Sequence, residues 1–223
     1  RCVQALRLST IPDWPTVSRW YWGLCAPHLA KATPAMTNEV VRLVKGCRTE
    51  TEKVRAVFRF VSQEVRYMGL TLEDDAPGYE PHDVDLTFEN RYGVCRDKAA
   101  LLVALLRIAG VQAFPVLIHA GAKMDPDVPT PYFNHAIVAV AADGGYVLMD
   151  PTDESTKDLL PAYLSDKSYL VARPEGEALR TSPVTSVERN LLRVESEGSL
   201  DAEGGALLTT VFAFEGINDH AVR

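Results

Sequence analysis

The sequence predicts an α+β fold, and three features of the chain lead to that prediction. Apolar residues recur at helical spacing through much of the first 65 residues. A strongly apolar helix is predicted to begin at Cys95, and strand-like runs separated by turn signals follow it from residue 111 onward. Because the helical patterns come first and the strand patterns later, we expect helices packed against an antiparallel sheet.

Length and composition bound the class of protein. The chain has 223 residues, enough for one good-sized domain and part of another, and its 47% hydrophobic and 24% charged residues are ordinary for a globular protein. Lys and Arg number 23 against 30 Asp and Glu and form no run, so no nucleic-acid partner is predicted. The longest apolar stretch, residues 99–106, is far shorter than the roughly 20 residues of a membrane-spanning helix, so no membrane span is expected.

The two ends of the chain lead us to expect a piece of a longer protein. The first residue is Arg1 rather than Met, and the last residues stop soon after a strand-like run. Residues 1–180 are predicted to form the core domain. Residues 181–223 are predicted to begin a truncated C-terminal β domain, with strands at 191–194 and 207–214 separated by a turn-rich segment.

Capping residues predict where the early helices begin. Asp13 precedes a run with apolar residues on one side, and Thr37 is the expected cap of a short helix further on. Thr49 and Glu52 form a capping-box pattern before a long run of apolar residues at helical spacing. Between residues 69 and 90 the sequence is acidic and contains Pro and Gly, which predicts a long surface loop.

The helix predicted from Cys95 has apolar residues all around its axis. Such a helix must be buried on most sides, and Gly110 is a natural stop for it. Residues 111–118 are strand-like, and Pro115 within them predicts an edge strand or a bulge. This helix is therefore expected to form the centre of the core.

Two further strands predict a hairpin. Strand-like runs at 135–141 and 146–149 flank the turn signal Asp143-Gly144-Gly145. If the turn has two residues, facing positions have numbers that sum to 287, and Asp150 then lies diagonal to His135 on one face of the sheet. A three-residue turn without a bulge would put the two side chains on opposite faces.

The cysteines do not have the spacing of a metal site. Cys2, Cys25, Cys47 and Cys95 contain no Cys-x-x-Cys pair, so no zinc or other metal is predicted. Cys25 and Cys47 are interpreted as small apolar residues, although a disulfide between them stays open if the protein is exported.

Cys95 has the setting of a reactive thiol. A thiol attacks an amide carbonyl as the thiolate, and the first turn of a helix favours a negative charge. Arg96 and Lys98 add positive charge nearby, whereas Asp97 acts in the opposite direction. The alternative is that Cys95 is merely a small residue packed at a helix end.

His135 and Asp150 supply the other two members of a candidate catalytic triad. A carboxylate bonded to one ring nitrogen of His135 would leave the other nitrogen for the thiol. Each residue also has a simpler interpretation: His135 as an edge histidine bonded to a loop, and Asp150 as the cap of a turn at Pro151-Thr152. The three residues together, in this order and context, favour thiol catalysis.

Three motifs resemble those of the bacterial transglutaminase-like superfamily. They are residues 92–99 (YGVCRDKA), 133–136 (FNHA) and 148–152 (LMDPT), and residues 64–69 (EVRYMG) and 78–81 (GYEP) are also similar. The resemblance covers about residues 10 to 175. It is closest to the branch in which one β domain of uncharacterised function precedes the core and another follows it.

The resemblance implies a papain-like α+β core, with Cys95 as nucleophile, His135 as general base and acid, and Asp150 as the residue that orients His135. It implies no metal and no cofactor. Tyr67 is the best match for an aromatic residue that helps to stabilise the oxyanion, and relatives of this architecture are commonly exported to the bacterial envelope. The sequence departs from the usual Gly-Asp-Cys-Lys-Asp motif at Val94 and Arg96, which leaves the specificity of the site open.

The predicted function is thiol chemistry on the amides of peptide or protein substrates through a thioester. Hydrolysis, as a peptidase or amidase, is favoured over cross-linking because water is always present. Two alternatives stay open: a true protein-glutamine transglutaminase, and a non-catalytic interaction or scaffold module of the bacterial envelope. Sequence does not predict the oligomeric state.

Overall fold

The computed structural model describes residues 6–69, 78–154, 158–216 and 218–219. Helices come first, and strands make up most of the second half of the chain. The helices are α1 (Trp14–Leu29), α2 (Pro34–Leu43), α3 (Glu50–Glu64), α4 (Val84–Asn90) and α5 (Cys95–Ile108). The strands are β1 (Arg66–Tyr67), β2 (Tyr92–Gly93), β3 (Ala113–His119), β4 (His135–Ala142), β5 (Gly145–Met149), β6 (Ser168–Val171), β7 (Arg180–Thr181), β8 (Leu192–Leu200) and β9 (Ala206–Phe214).

Side-chain caps start the first three helices. The Asp13 carboxylate accepts from the Thr16 N–H at 2.7 Å, and the predicted capping box of Thr49 and Glu52 is present in full. The prediction that Thr37 caps α2 is wrong, because Thr33 is the cap. Pro34 follows it at the first helical position, where its fixed φ angle suits a helix start.

Helix α4 corrects part of the predicted loop between residues 69 and 90. Val84 and Phe88, four residues apart, are buried on one side of α4. The Phe88 ring lies 6.3 Å from the ring of Phe60 on α3. Because α4 is short and acidic, this apolar side is too small to stand out in the sequence. Residues 70–77 of the predicted loop lie outside the described residues.

Helix α5 runs through the middle of the core, as its sequence predicts. Its residues from Asp97 to Leu106 are all buried. Helices α1, α2, α3 and α4 pack against it on one side, and strands β3 and β4 pack against it on the other. Side chains on every face of α5 are thereby removed from water, which accounts for its apolar composition.

The core sheet is antiparallel, with strand order β5-β4-β3-β6-β7. Strand β3 lies at its centre, so the prediction that Pro115 marks an edge strand or a bulge is wrong. Pro115 pairs with Val138 on β4, and its carbonyl accepts from Ala172 N–H at 2.8 Å, just beyond the end of β6. Strand β6 has therefore already ended at the position where the N–H that Pro115 lacks would form its hydrogen bond.

Strands β4 and β5 form the predicted hairpin in the predicted register. Ala142 pairs with Gly145 next to the turn, and Val138 pairs with Met149 at the far end. Gly144 has φ 80°, a left-handed conformation that a two-residue hairpin turn requires and that glycine adopts at little cost. The pairing agrees with a two-residue turn.

Strands β8 and β9 form a separate two-stranded sheet. Both are longer than predicted, and nearly all of their residues are exposed. The predicted domain boundary, between residues 180 and 181, falls inside β7 of the core sheet. Within the described ranges, no helix is long and apolar enough to cross a membrane.

Candidate active site

Three elements of the core meet at one place. Cys95 is the first residue of α5, His135 is the first residue of β4, and Asp150 directly follows β5. Strand β4 packs on α5, which brings the start of the strand to the start of the helix. The structure thus brings together the three residues that the sequence singles out.

The contact between His135 and Asp150 follows from the hairpin register. His135 Nε2 lies 2.8 Å from Asp150 Oδ2, so the predicted contact between the two side chains is confirmed. Because Nε2 is engaged by the carboxylate, Nδ1 is the ring nitrogen left to face the thiol. Asp150 is fully buried, and the side chain of His135 is 12% exposed.

Cys95 and His135 lie close together and stabilise each other's charged form. Burial is the largest influence on the pKa of Cys95 and raises it, but the hydrogen bond and positive charge of His135, with backbone N–H groups, bring the pKa below its usual value. Burial likewise lowers the pKa of His135, and the opposing contacts with Asp150 and Cys95 raise it to about 10. Both shifts favour a Cys95 thiolate beside a His135 imidazolium.

Asp150 is held by more than His135. Its Oδ1 accepts from the Thr152 N–H at 2.9 Å and from the Thr152 hydroxyl at 2.7 Å. Burial opposes ionisation, but His135 and then Thr152 outweigh it and lower the pKa of Asp150. The carboxylate thus both caps the turn at Pro151-Thr152 and bonds His135, so the two sequence interpretations of Asp150 hold together.

Tyr163 belongs to the site, although the sequence does not indicate it. Its hydroxyl donates to Asp150 Oδ2 at 3.1 Å, the same oxygen that contacts His135. Tyr163 lies in a polar stretch without regular periodicity, after the last motif of the resemblance. Only the folding of that segment against Asp150 reveals the contact.

Asp97 replaces the cap that Val94 cannot provide. Val94 precedes α5, and its side chain makes no capping hydrogen bond. Asp97 Oδ2 accepts from the Val94 N–H at 3.1 Å, and Asp97 Oδ1 accepts from the His82 N–H at 2.9 Å. The start of α5 is therefore held by a carboxylate one turn into the helix, which keeps the backbone around Cys95 in place.

Lys98 connects α5 to the end of α3 through hydrogen bonds. It is fully buried, and its Nζ donates to the carbonyls of Val65 and Ser62, the latter at 3.3 Å. Burial lowers the pKa of Lys98 to about 8. The sequence suggested that Lys98 favours the Cys95 thiolate, whereas the structure shows it bound to backbone carbonyls at the end of a neighbouring helix.

Tyr67 lies beside the site on β1. The residue is 38% exposed, and its pKa is raised first by burial and then by the negative charges of Cys95 and Asp150. Its backbone N–H donates to the Glu154 carboxylate at 2.7 Å. This position agrees with the predicted oxyanion contact, which stays a prediction.

The other described cysteines lie away from the triad chemistry. Cys25 and Cys47 are both free thiols, so the disulfide left open by the sequence is not formed between them. Burial raises the pKa of Cys25 to about 12, which makes that thiol inert. Across the described part of the chain, no group of His, Cys, Asp and Glu is arranged to hold a metal ion.

The fold and site define the class of protein: a papain-like α+β core in which a helix starting with Cys packs on a sheet carrying His and Asp. The predicted fold class is thereby confirmed. The profile of the transglutaminase-like superfamily matches residues 37–151. The chain belongs to the transglutaminase-like superfamily, as its motifs predict.

Solved structures share this fold at low sequence identity. A candidate protease from Parabacteroides distasonis has a TM-score of 0.57 at 13% identity, over 84% of this chain and 38% of that chain. The chain thus spans well under half of that protein.

Two other solved structures resemble the chain less closely. A candidate cysteine protease from Cytophaga hutchinsonii has a TM-score of 0.44 at 17% identity, over 86% of this chain and 56% of that one. The periplasmic domain of TgpA from Pseudomonas aeruginosa has a TM-score of 0.41 at 23% identity, over 62% and 48%. No curated protein sequence matches the chain.

Proposed function

We propose that the protein is a thiol enzyme that cleaves amide bonds of peptides or proteins with Cys95, His135 and Asp150. The observation that carries this proposal is the continuous series of contacts from the Cys95 thiol through the His135 ring to the buried Asp150 carboxylate. A histidine and a cysteine that served only the fold would not require a proton to pass between them. An activated thiol requires a nearby base that takes its proton.

The first half of the reaction forms a thioester. The Cys95 thiolate attacks the amide carbon, and the carbonyl electrons move to oxygen to give a tetrahedral oxyanion. The Cys95 backbone N–H is available to this oxygen, because the first residue of a helix has no intrahelical acceptor for its N–H. Tyr67 is the second donor in the proposal. Collapse of the oxyanion breaks the C–N bond as the His135 imidazolium gives its proton to the leaving amine.

The second half of the reaction releases the acyl group. His135, now neutral, takes a proton from water, and the resulting hydroxide attacks the thioester carbon. The Cys95 thiolate leaves, His135 is again an imidazolium, and the product is a carboxylic acid. Asp150 stays ionised throughout and stabilises the His135 imidazolium in both halves of the reaction.

Hydrolysis is the favoured outcome over transfer to an amine. Cys95 is only partly buried and the side chain of His135 is 12% exposed, so water can approach the thioester. Cross-linking activity would require a way to exclude water in favour of a lysine amine.

Alkylation tests thiol activation without knowledge of the substrate. We expect iodoacetamide at pH 6 to modify Cys95 at least about tenfold faster than a model thiol, because the lowered pKa of Cys95 raises its thiolate fraction. Cys47 is also partly exposed and serves as an internal control for access. Equal rates at Cys95 and Cys47, followed by mass spectrometry of peptides, would favour the scaffold alternative.

Product analysis tests the reaction itself. A peptide library incubated with the protein should release new carboxyl termini or ammonia, and Cys95→Ala should abolish this release while Cys47→Ala retains it. Incorporation of a labelled amine without appreciable hydrolysis would establish the cross-linking alternative instead.

Export to the bacterial envelope is part of the proposal and rests on the family resemblance alone. Fractionation of cells that express the full-length protein tests it. Recovery of the protein only with cytoplasmic markers would contradict it.

A further inference from the structure

The guanidinium of Arg96 is a largely buried charge without a hydrogen-bond partner. Its side chain is only 13% exposed. Neither Nε nor Nη2 meets an acceptor in the described part of the chain. Oδ1 of Asp97 lies 3.9 Å from Nε, which is too far for a hydrogen bond. The Asp97 charge is close enough to form an ion pair with Arg96, but a buried donor without an acceptor is costly, so Nε and Nη2 are short of an acceptor such as a second carboxylate.

Asp97 is not free to supply that anion. Its Oδ2 accepts from the Val94 N–H at 3.1 Å, and its Oδ1 accepts from the His82 N–H at 2.9 Å and contacts His82 Nδ1 at 3.1 Å. A rotation of Asp97 toward Arg96 would break the contacts that hold the start of α5. Both oxygens of the Asp97 carboxylate are thus already bonded to backbone N–H groups.

The other cations of α5 have the acceptors that Arg96 lacks. Lys98 donates to two carbonyls at the end of α3. Arg107 donates through Nε and Nη2 to the Ala113 carbonyl at 2.9 and 2.8 Å. Among these three cations of α5, only Arg96 therefore has nitrogens, Nε and Nη2, that lack a hydrogen-bond acceptor in the described part of the chain.

Arg96 also shares the surroundings of the Cys95 sulfur. The Arg96 backbone N–H is hydrogen-bonded to the Cys95 side chain. Tyr21 on α1 lies near both residues: burial chiefly raises the pKa of its phenol, Cys95 adds to the rise, and Arg96 opposes it. Because Arg96 directly follows Cys95 at the start of α5, its positive charge belongs to the surroundings of the thiol.

We propose that Arg96 binds a carboxylate of the substrate next to the scissile amide, so that the enzyme selects acidic peptides. This inference rests on the proposed function. The carboxylate comes either from an Asp or Glu side chain flanking the amide or from a free C-terminus. A guanidinium suits both, because its planar donors match a carboxylate.

The alkylation of Cys95 by an anionic and a neutral reagent tests the anion site. Iodoacetate and iodoacetamide react with the same thiolate, so the ratio of their rate constants cancels changes in thiol activation. The His135 imidazolium contributes to this ratio in every variant. We expect Arg96→Met to lower the ratio about tenfold, the worth of one charge-assisted contact, and Arg96→Lys to keep most of it.

Arg59→Met is the matched control, since it removes the same charge from an exposed position on α3. Its ratio should equal that of the unmodified protein. An equal ratio in Arg96→Met and the unmodified protein would overturn the anion site while leaving the triad intact. Slow iodoacetamide alkylation of the unmodified protein would instead contradict the proposed function. Circular dichroism of each variant establishes that it is folded.

Peptides distinguish the two sources of the carboxylate. One set carries Glu or Gln at each position near the scissile amide and an amidated C-terminus. A second set has neutral side chains and either a free or an amidated C-terminus. We expect one set to show about a tenfold preference in kcat/KM for the charged member that Arg96→Met removes. Lack of preference in both sets would refute selectivity for acidic substrates.

Discussion

Each residue of the triad sets the protonation state of its neighbour. Asp150 is fully buried and ionised, and it holds a proton on His135 through the 2.8 Å contact. The imidazolium in turn favours the Cys95 thiolate. Because a buried ion pair is stable only when its hydrogen bonds are made, Thr152 and Tyr163 also support the ionised state of Asp150.

The pH dependence of Cys95 should follow from this pair. The lowered pKa of Cys95 places the rise in iodoacetamide reactivity below the pH at which an ordinary thiol ionises. Turnover should fall again as pH passes about 10, where His135 loses the proton that the leaving amine needs. His135→Gln should shift the rise in alkylation to higher pH, because the charge and hydrogen bond of His135 then no longer oppose the effect of burial on the thiol. A rise at the ordinary thiol value in the unmodified protein would contradict the ion pair.

Asp150→Asn should reduce kcat by about 10³ to 10⁴ with little change in KM, because an amide cannot stabilise the imidazolium. Tyr163→Phe is the matched variant. It removes one hydrogen bond from the same carboxylate oxygen and should cost at most about tenfold, since His135 and Thr152 remain. Steady-state kinetics on a cleaved peptide measure both. Equal losses for the two variants would mean that the charge of Asp150 is not what the site requires.

At the scale of elements, α5 is held at its start by side chains from several directions. Asp97 bonds the backbone before Cys95 and the segment that precedes α4. Lys98 bonds the end of α3, from which the chain continues into β1 and Tyr67. The helix that carries the nucleophile therefore also positions the strand beside it.

His28 fastens α1 to the segment that leads into α4. His28 Nδ1 lies 2.6 Å from Asp83 Oδ1, and Nε2 lies 2.8 Å from Glu80 Oε1. Burial is the largest single influence and lowers the pKa of His28, but the two carboxylates outweigh it and raise the pKa above 6.5. The charged ring thus stabilises the fold fully below pH 6.5, and the effect is lost as pH rises through the raised pKa.

We expect His28→Gln to lower the free energy of unfolding by about 1–2 kcal/mol at low pH and by less at high pH. Glu80→Gln, which removes one of the two carboxylates, should have a smaller effect with the same trend. Urea denaturation across pH measures both variants. A difference from the unmodified protein that stays constant with pH would show that His28 acts by packing and not by charge.

At the scale of the molecule, the core and the β8–β9 sheet differ in how they are held. The core sheet extends through β7 to Ser182, whose hydroxyl donates to the Leu164 carbonyl at 2.6 Å and accepts from the Lys167 N–H at 2.8 Å. Strands β8 and β9, in contrast, expose nearly all their side chains. A two-stranded sheet of this kind contributes little stability to a core.

A chain that ends at residue 186 should therefore keep the Tm and the Cys95 reactivity of the longer chain. A chain that ends at residue 180 should melt earlier, because it loses β7 pairing and the hydrogen bonds of the buried Ser182 at a cost of about 1–3 kcal/mol. Thermal melts of the two fragments compare them. A large loss of stability in the longer fragment would contradict the predicted division into two domains.

Local patterns predicted most of the contacts that are short in sequence. The capping box at Thr49 and the hairpin around Gly144 were predictable, because turn geometry and side-chain caps act within a few residues. The register of that hairpin was enough to predict the contact of His135 with Asp150. The motif around Cys95 indicated the family. Thr37 was mistaken for a cap because Pro34 three residues earlier already starts the helix.

Contacts between distant segments were beyond the sequence. Pro115 looked like an edge residue because nothing local shows that a neighbouring strand ends beside it. Helix α4 exists because Val84 and Phe88 find a core to enter, not because its residues favour a helix. Long-range packing overrides weak local preference in both cases.

The sequence by itself determined the family and the α+β class, and it singled out Cys95, His135 and Asp150 as the candidate triad, since motif, periodicity and hairpin register are all local properties. Only the tertiary structure decided what surrounds them. Tyr163 reaches Asp150 across the fold, and Lys98 bonds the end of α3. Nε and Nη2 of Arg96 have no hydrogen-bond partner among the described residues, because Asp97 bonds the His82 N–H instead. Hydrogen-bond partners and burial depend on which segments meet in space, and in this protein they set both the charge state of the triad and the proposed preference for acidic substrates.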